Sequence, residues 1–153
     1  MSENTLRQLG KWLEADESEH MEFKEAKGQF DSRKPTKYCC AIANEGGGKV
    51  ILGVTDKRPR VIVGTNAFPG SQLKHTKSGL VRGLHVRIDA EELQHPDGRV
   101  LVFHVPARPA GMPIQVDGAY WMRSGDSLAP MTPDMLKRVF DEDWIAIQTR
   151  NCW

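Results

Sequence analysis

The sequence has 153 residues, 39% of them hydrophobic and 27% charged, with a formal net charge of +1; that is enough chain for one domain with its own core, and a poor match to a uniformly basic polymer binder. No run of about eighteen apolar residues occurs, so no spanning helix is expected, and the start MSENTLRQLG lacks the apolar stretch of a secretory leader. Cys39, Cys40 and Cys152 offer neither a disulfide framework nor a C-x-x-C zinc spacing, which points to a reducing, cytoplasmic setting.

TLRQLGKWLEA places Leu6, Leu9, Trp12 and Leu13 at helical spacing, with Thr5 or Asn4 as the cap. In ESEHMEFKEAK, Met21 and Phe23 point one way and His20, Glu22 and Lys24 the other, the pattern of a short strand. DSRKPTKYCCAIANEGGG reads as a loop and then a helix. Pro35 falls near the first turn, Tyr38, Ala41 and Ile42 form an apolar stripe, and Asn44 with the glycines ends it. KVILGVTD is almost continuously apolar, which predicts a central strand, and RVIVGT follows as its hairpin partner. Residues 69–81 predict a short helix. LHVRIDAEEL and RVLVFHVPA predict a hairpin turning at Asp97-Gly98, and MPIQVDGAYWMRSG a second turning at Asp117-Gly118. TPDMLKRVFDEDW predicts a closing helix capped by Thr132, with Leu136, Val139 and Phe140 facing inward. This order predicts one α+β domain over residues 1–153: a mainly antiparallel sheet of about six strands with three to four flanking helices.

Charge is unevenly placed. From Lys57 to Ile88 there is no Asp or Glu, while Lys57, Arg58, Arg60, Lys74, Lys77, Arg82 and Arg87 are basic and His75 and His85 lie among them. The first 27 residues lean acidic. Such asymmetry can build a phosphate-attracting surface on a nearly neutral protein, or it can scatter over a loop and a helix. Arg33, Lys34 and Lys37 add cations at the start of the second predicted helix. With Lys57, Arg58, Arg60, Lys74, Lys77 and Arg123 they are the candidate contacts to a nucleic-acid backbone. Tyr120 and Trp121 beside Arg123 offer an aromatic for stacking, although strand alternation turns one of the two inward.

At ESEHMEFK, YCCAIANEGGGKVILGVTD and PIQVDGAYWMRSGDS the chain resembles the Schlafen-type AlbA-like domain. Glu17, Glu22, Phe23 and Lys24 fit the block E-x-x-x-x-E-F-K. Ala43, Asn44, Gly46 and Gly47 fit the helix end with its glycines, Gly53, Val54 and Asp56 fit G-V-x-D, and Pro113 to Arg123 fit the last block. The resemblance spans about residues 15–142, which leaves 143–153 as a C-terminal extension. It implies a nucleic-acid partner, RNA or DNA. Some Schlafen members are metal-dependent endoribonucleases whose two glutamates and one aspartate fall on Glu17, Glu22 and Asp56. The nuclease core of those members holds two such units, so the resemblance also implies a homodimer.

The residues can be weighed on their own chemistry. Phosphodiester cleavage calls for a hard divalent cation, Mg²⁺ or Mn²⁺, held by carboxylates and water. Glu17, Glu22 and Asp56 are the candidate metal ligands, and Lys24 the candidate support for the scissile phosphate. The bland alternative is a set of solvated acids with Glu22 and Lys24 paired on a strand surface. His20 reads as an ordinary surface histidine, and Cys39 and Cys40 as buried thiols. NEGGGKV runs helix, glycines, strand, the reverse of a phosphate-binding loop, so no nucleotide cofactor is expected. A non-catalytic binding module and a homodimeric interaction domain with an apolar patch at Trp144 to Trp153 are the competing readings.

Overall fold

The computed structural model describes residues 2–15, 18, 20–28, 30–31, 33–125 and 127–151, with residues 143–151 described by their backbone alone. Helix α1 (Glu3–Glu14) starts at Ser2, whose hydroxyl accepts from the Thr5 N–H; the cap is therefore Ser2 rather than Asn4 or Thr5. Then come β1 (Met21–Lys24), α2 (Arg33–Asn44), β2 (Gly48–Leu52), α3 (Gln72–Leu84), β3 (Asp89–His95) and β4 (Gly98–Val105). β5 (Trp121–Ser124), β6 (Ser127–Pro130) and α4 (Pro133–Asn151) complete the chain. Among the described residues, no helix is long and apolar enough to cross a membrane.

The α+β class holds, and the strands divide between two sheets. The main sheet has the order β1-β2-β4-β3 and is mixed, since β1 runs parallel to β2 while the other pairings are antiparallel. β5 and β6 form a separate antiparallel ribbon packed on α2. β2 lies inside the sheet with both faces covered, which accounts for its unbroken apolar run. Val50 and Leu52 point to the core under α2 and α3, with Leu101 and Phe103 of β4. Ile51 points the other way, where Leu9, Trp12 and Leu13 of α1 meet Phe23, Val100 and Val102.

Four local expectations shift. RVIVGT makes one bridge, Val54 to Ile62, and no strand. After it the chain crosses to β4, where the Thr65 N–H donates to the Arg99 carbonyl. The β3–β4 hairpin pairs His95 with Gly98, so its turn is Pro96-Asp97; proline at the second position and glycine at the fourth suit a type I turn. The Asp117-Gly118 turn closes the single bridge Val116 to Ala119, and β5 pairs onward with β6 instead. In α4, Val139 is buried as expected but Phe140 is 55% exposed.

Candidate functional site

The end of α2 organises the site. Gly46 has φ +106 and donates to the Ala43 carbonyl, and Gly47 donates to the Ile42 carbonyl at 2.8 Å. That is a Schellman ending, which needs the left-handed backbone that glycine adopts without strain. A Cβ on Gly47 would also lie 2.8 Å from the Ala107 backbone nitrogen. The glycines therefore serve close packing and chain reversal. Just before them, the buried Asn44 amide donates to the carbonyls of Ile114 and Trp121 at 3.0 and 2.7 Å, and its oxygen accepts from the Ile114 N–H at 2.9 Å. One side chain thus fastens the approach to β5 against α2.

That fastening brings β5 to β1. The register pairs Glu22 with Val50, so Glu22 shares the face that looks toward α2. There it accepts from Arg123 of β5, and both residues are buried. Lys24 Nζ lies 3.1 Å from the other Glu22 oxygen and 5.0 Å from the Tyr38 ring centroid. Burial pulls the Lys24 ammonium down, but Glu22 and Tyr38 more than offset it and hold its pKa above the usual lysine value. Glu45 accepts from the Arg123 backbone N–H at 3.2 Å.

A strip of lysines over aromatic rings continues from this cluster along α2. Lys34 and Lys37 stand three apart on the helix, and Tyr38 four from Lys34, so all three share one face. Lys34 Nζ lies 5.5 Å from the Phe30 ring centroid and Lys37 Nζ 5.1 Å from that of Trp121. No acid sits in the first turn of α2. Lys24, Lys34, Lys37 and Arg123 set against Glu22 and Glu45 leave the strip positive. Sequence reasoning singled out the lysines and Trp121 but missed the parts of Phe30 and Tyr38. The i, i+3, i+4 spacing of Lys34, Lys37 and Tyr38 was the available signal.

The other expected residues lie elsewhere. Arg123, expected on the contact surface, is 4% exposed because its strand turns it onto Glu22. Asp56 is exposed beyond the end of β2, in the segment that follows Val54, whereas Glu22 is buried and paired with Val50. Glu17 lies outside the described residues, as do Cys152 and the side chains from Trp144 onward. Among the described residues, no three His, Cys, Asp or Glu side chains gather in a way that could hold a metal. Arg58 donates to the Glu14 carbonyl, and Arg60 to those of Leu13 and Ala15 with its guanidinium 4.1 Å from the Phe23 ring. Both thus cap the end of α1, where cations are favoured by the helix dipole. Lys77 and Arg87 share Asp89, Arg33 pairs with Asp31, and Lys57 and Lys74 are exposed. The acid-free span is therefore split between a helix end and α3. His20 Nδ1 donates to the Gly47 carbonyl at 2.7 Å. Burial pushes the Cys39 thiol up and the Cys40 thiol up to about 11, so both are inert.

A family model described as Schlafen, AlbA_2 matches residues 17–132. Among solved structures, the DIP2311 protein from Corynebacterium diphtheriae aligns with a TM-score of 0.61 at 24% identity, covering 82% of this chain and 30% of that one. This chain thus spans under a third of that protein. The N-terminal domain of a RecG-related protein from Nitrosomonas europaea aligns with a TM-score of 0.53 at 20% identity, covering 85% of this chain and 90% of that one. At these identities the likeness is one of fold. No match is found among curated proteins.

Proposed function

The chain belongs to the Schlafen, AlbA_2 family, and from that premise we propose that it is a nucleic-acid-binding domain whose contact surface is the lysine–aromatic strip of α2. The observation that carries this reading is the row Lys34, Lys37 and Lys24, each set over an aromatic ring on one face. Lysines supply the phosphate attraction, and aromatic rings supply sequence-tolerant stacking. The relative from Nitrosomonas europaea, described as related to the ATP-dependent DNA helicase RecG, supports a nucleic-acid partner. The paired units of the Schlafen nucleases make a homodimer part of the proposal, to be read by sedimentation.

Metal-dependent cleavage, with Glu17, Glu22 and Asp56 as ligands, is the finer form of this reading, and the pairing of Glu22 stands against it. Glu22 has one oxygen on Arg123 and the other on Lys24, which removes it as a ligand for Mg²⁺ or Mn²⁺ unless that pairing opens. Binding without cleavage is therefore the reading we carry. Labelled tRNA and single-stranded DNA, incubated with the protein in Mn²⁺, Mg²⁺ or EDTA and run on native and denaturing gels, test it. Salt-sensitive retardation of intact strands is expected. Metal-dependent cutting that disappears in Asp56→Ala, a change at an exposed position, would replace it with the nuclease reading.

A further inference from the structure

Beside the lysine strip lies a cleft of about 520 Å³ between the segment that leads into α2 and the start of α3. Its size falls in the range of small-ligand sites. Phe30 and Phe68 meet edge to face across it, with centroids 6.3 Å apart and planes at 81°. Phe68 has φ +50, a left-handed backbone that a bulky aromatic rarely adopts, and its ring is turned into the core against Phe103. Phe30 stays half-buried, with Lys34 over its ring. Asn66, Gln72 and His75 line the same cleft and are exposed. Their side chains make no hydrogen bond to the described residues. The Ser71 side chain leaves the start of α3 uncapped, and no acid lies in its first turn.

Resting on the binding reading above, we propose that this cleft receives one unstacked base of a single-stranded nucleic acid. Each part of the site matches a part of that ligand. Phe30 offers a ring for stacking, which every base can use. Asn66, Gln72 and His75 offer donors and acceptors to a base edge, of the kind that reads unpaired bases. Lys34, on the rim, is placed for the phosphate of the same nucleotide when the base takes its position over Phe30. The occupant is a single strand because a paired base inside a duplex presents its faces to its neighbours and cannot enter a cleft. A peptide would find no carboxylate here to answer its positive groups, and the rim cation favours an anionic chain.

The experiment is a fluorescence-anisotropy titration of the full chain with a labelled single-stranded oligonucleotide, the same strand in duplex form, and the strand carrying abasic sites. The wild type should prefer the single strand to the abasic one by about tenfold, the scale of one stacked base. Phe30→Leu keeps an apolar side chain and should erase that preference. Gln72→Ala and His75→Ala, exposed on α3, test the edge contacts without risk to the core. They should weaken the single strand several-fold and leave duplex affinity unchanged. Equal affinity for intact and abasic strands, with binding still weakened by Lys34→Ala, overturns the cleft and leaves the binding domain standing. Absence of binding to all three probes removes both.

Discussion

Arg123 of β5 donates to Glu22 of β1 across a buried contact, with side chains 2% and 7% exposed. The two sit at opposite ends of the family-matched segment and join the ribbon to the edge of the main sheet. A buried pair is costly to break one-sidedly, because the partner left behind keeps its charge and loses its solvation. The two removals are not equivalent here. Without Arg123, Glu22 keeps Lys24 at 3.1 Å, and that lysine is 33% exposed. Without Glu22, the Arg123 guanidinium loses its carboxylate in a buried site. Glu22→Gln should therefore destabilise by about 3–5 kcal/mol and Arg123→Met by less. Urea unfolding of both variants and of the double variant decides it. The reverse order would mean that Arg123 is not held mainly by Glu22.

Asn44 carries a separate expectation. Its buried amide satisfies the Ile114 N–H and the carbonyls of Ile114 and Trp121 at once. Asn44→Ala removes the acceptor of the Ile114 N–H and the amide donor to the Trp121 carbonyl, while the Ile114 carbonyl keeps the Cys40 thiol, at a cost of about 1–3 kcal/mol for a buried polar group left unpaired. Amide exchange should quicken at Ile114, whose N–H is left without its acceptor. A variant as stable as the parent, with that amide still protected, would show that the clamp is dispensable.

Acid should loosen another clasp. Arg108 holds Glu142 of α4 through two hydrogen bonds of 2.7 and 2.6 Å, and the Gly111 N–H adds a third. The Arg108 guanidinium pulls the Glu142 pKa below the ordinary carboxylate value, and the slight burial opposing it is outweighed. A depressed carboxylate stabilises the fold above its unfolded pKa, and the stabilisation fades as pH falls through the folded value. Glu142 is 37% exposed, so screening limits the effect to about 1 kcal/mol or less. Thermal melts of Glu142→Gln should fall below the parent near neutral pH and converge with it in acid. An offset that stays constant with pH would assign the destabilisation to packing instead.

The sequence showed the class of the fold because its apolar periods are strong. The unbroken run of β2 meant a strand covered on both faces, and the glycines after Asn44 meant a helix end. Turns were legible only as regions: Pro96 moved the β3–β4 turn by one residue, and Gly125 rather than Gly118 lies between the paired strands of the ribbon. The site was half legible. Lys34 and Lys37 could be read from the charge at the start of α2. The Glu22–Arg123 pair joins residues 101 positions apart, and no local pattern encodes such a contact. The one clue was alternation: Arg123 shares a strand face with Trp121, which points it inward. Arg58 and Arg60 looked like free cations because the carbonyls they serve, at the end of α1, lie more than forty residues earlier.

The most direct measurement is the salt dependence of binding to a labelled single strand, for the parent and for Lys34→Ala and Lys37→Ala. If the strip of α2 carries the nucleic acid, each substitution should weaken binding and lower the slope of log K against log salt by about 0.7, the value for a single phosphate neutralised on a single strand. Parent-like affinity and slope in both variants would contradict the assignment of nucleic-acid binding to this face.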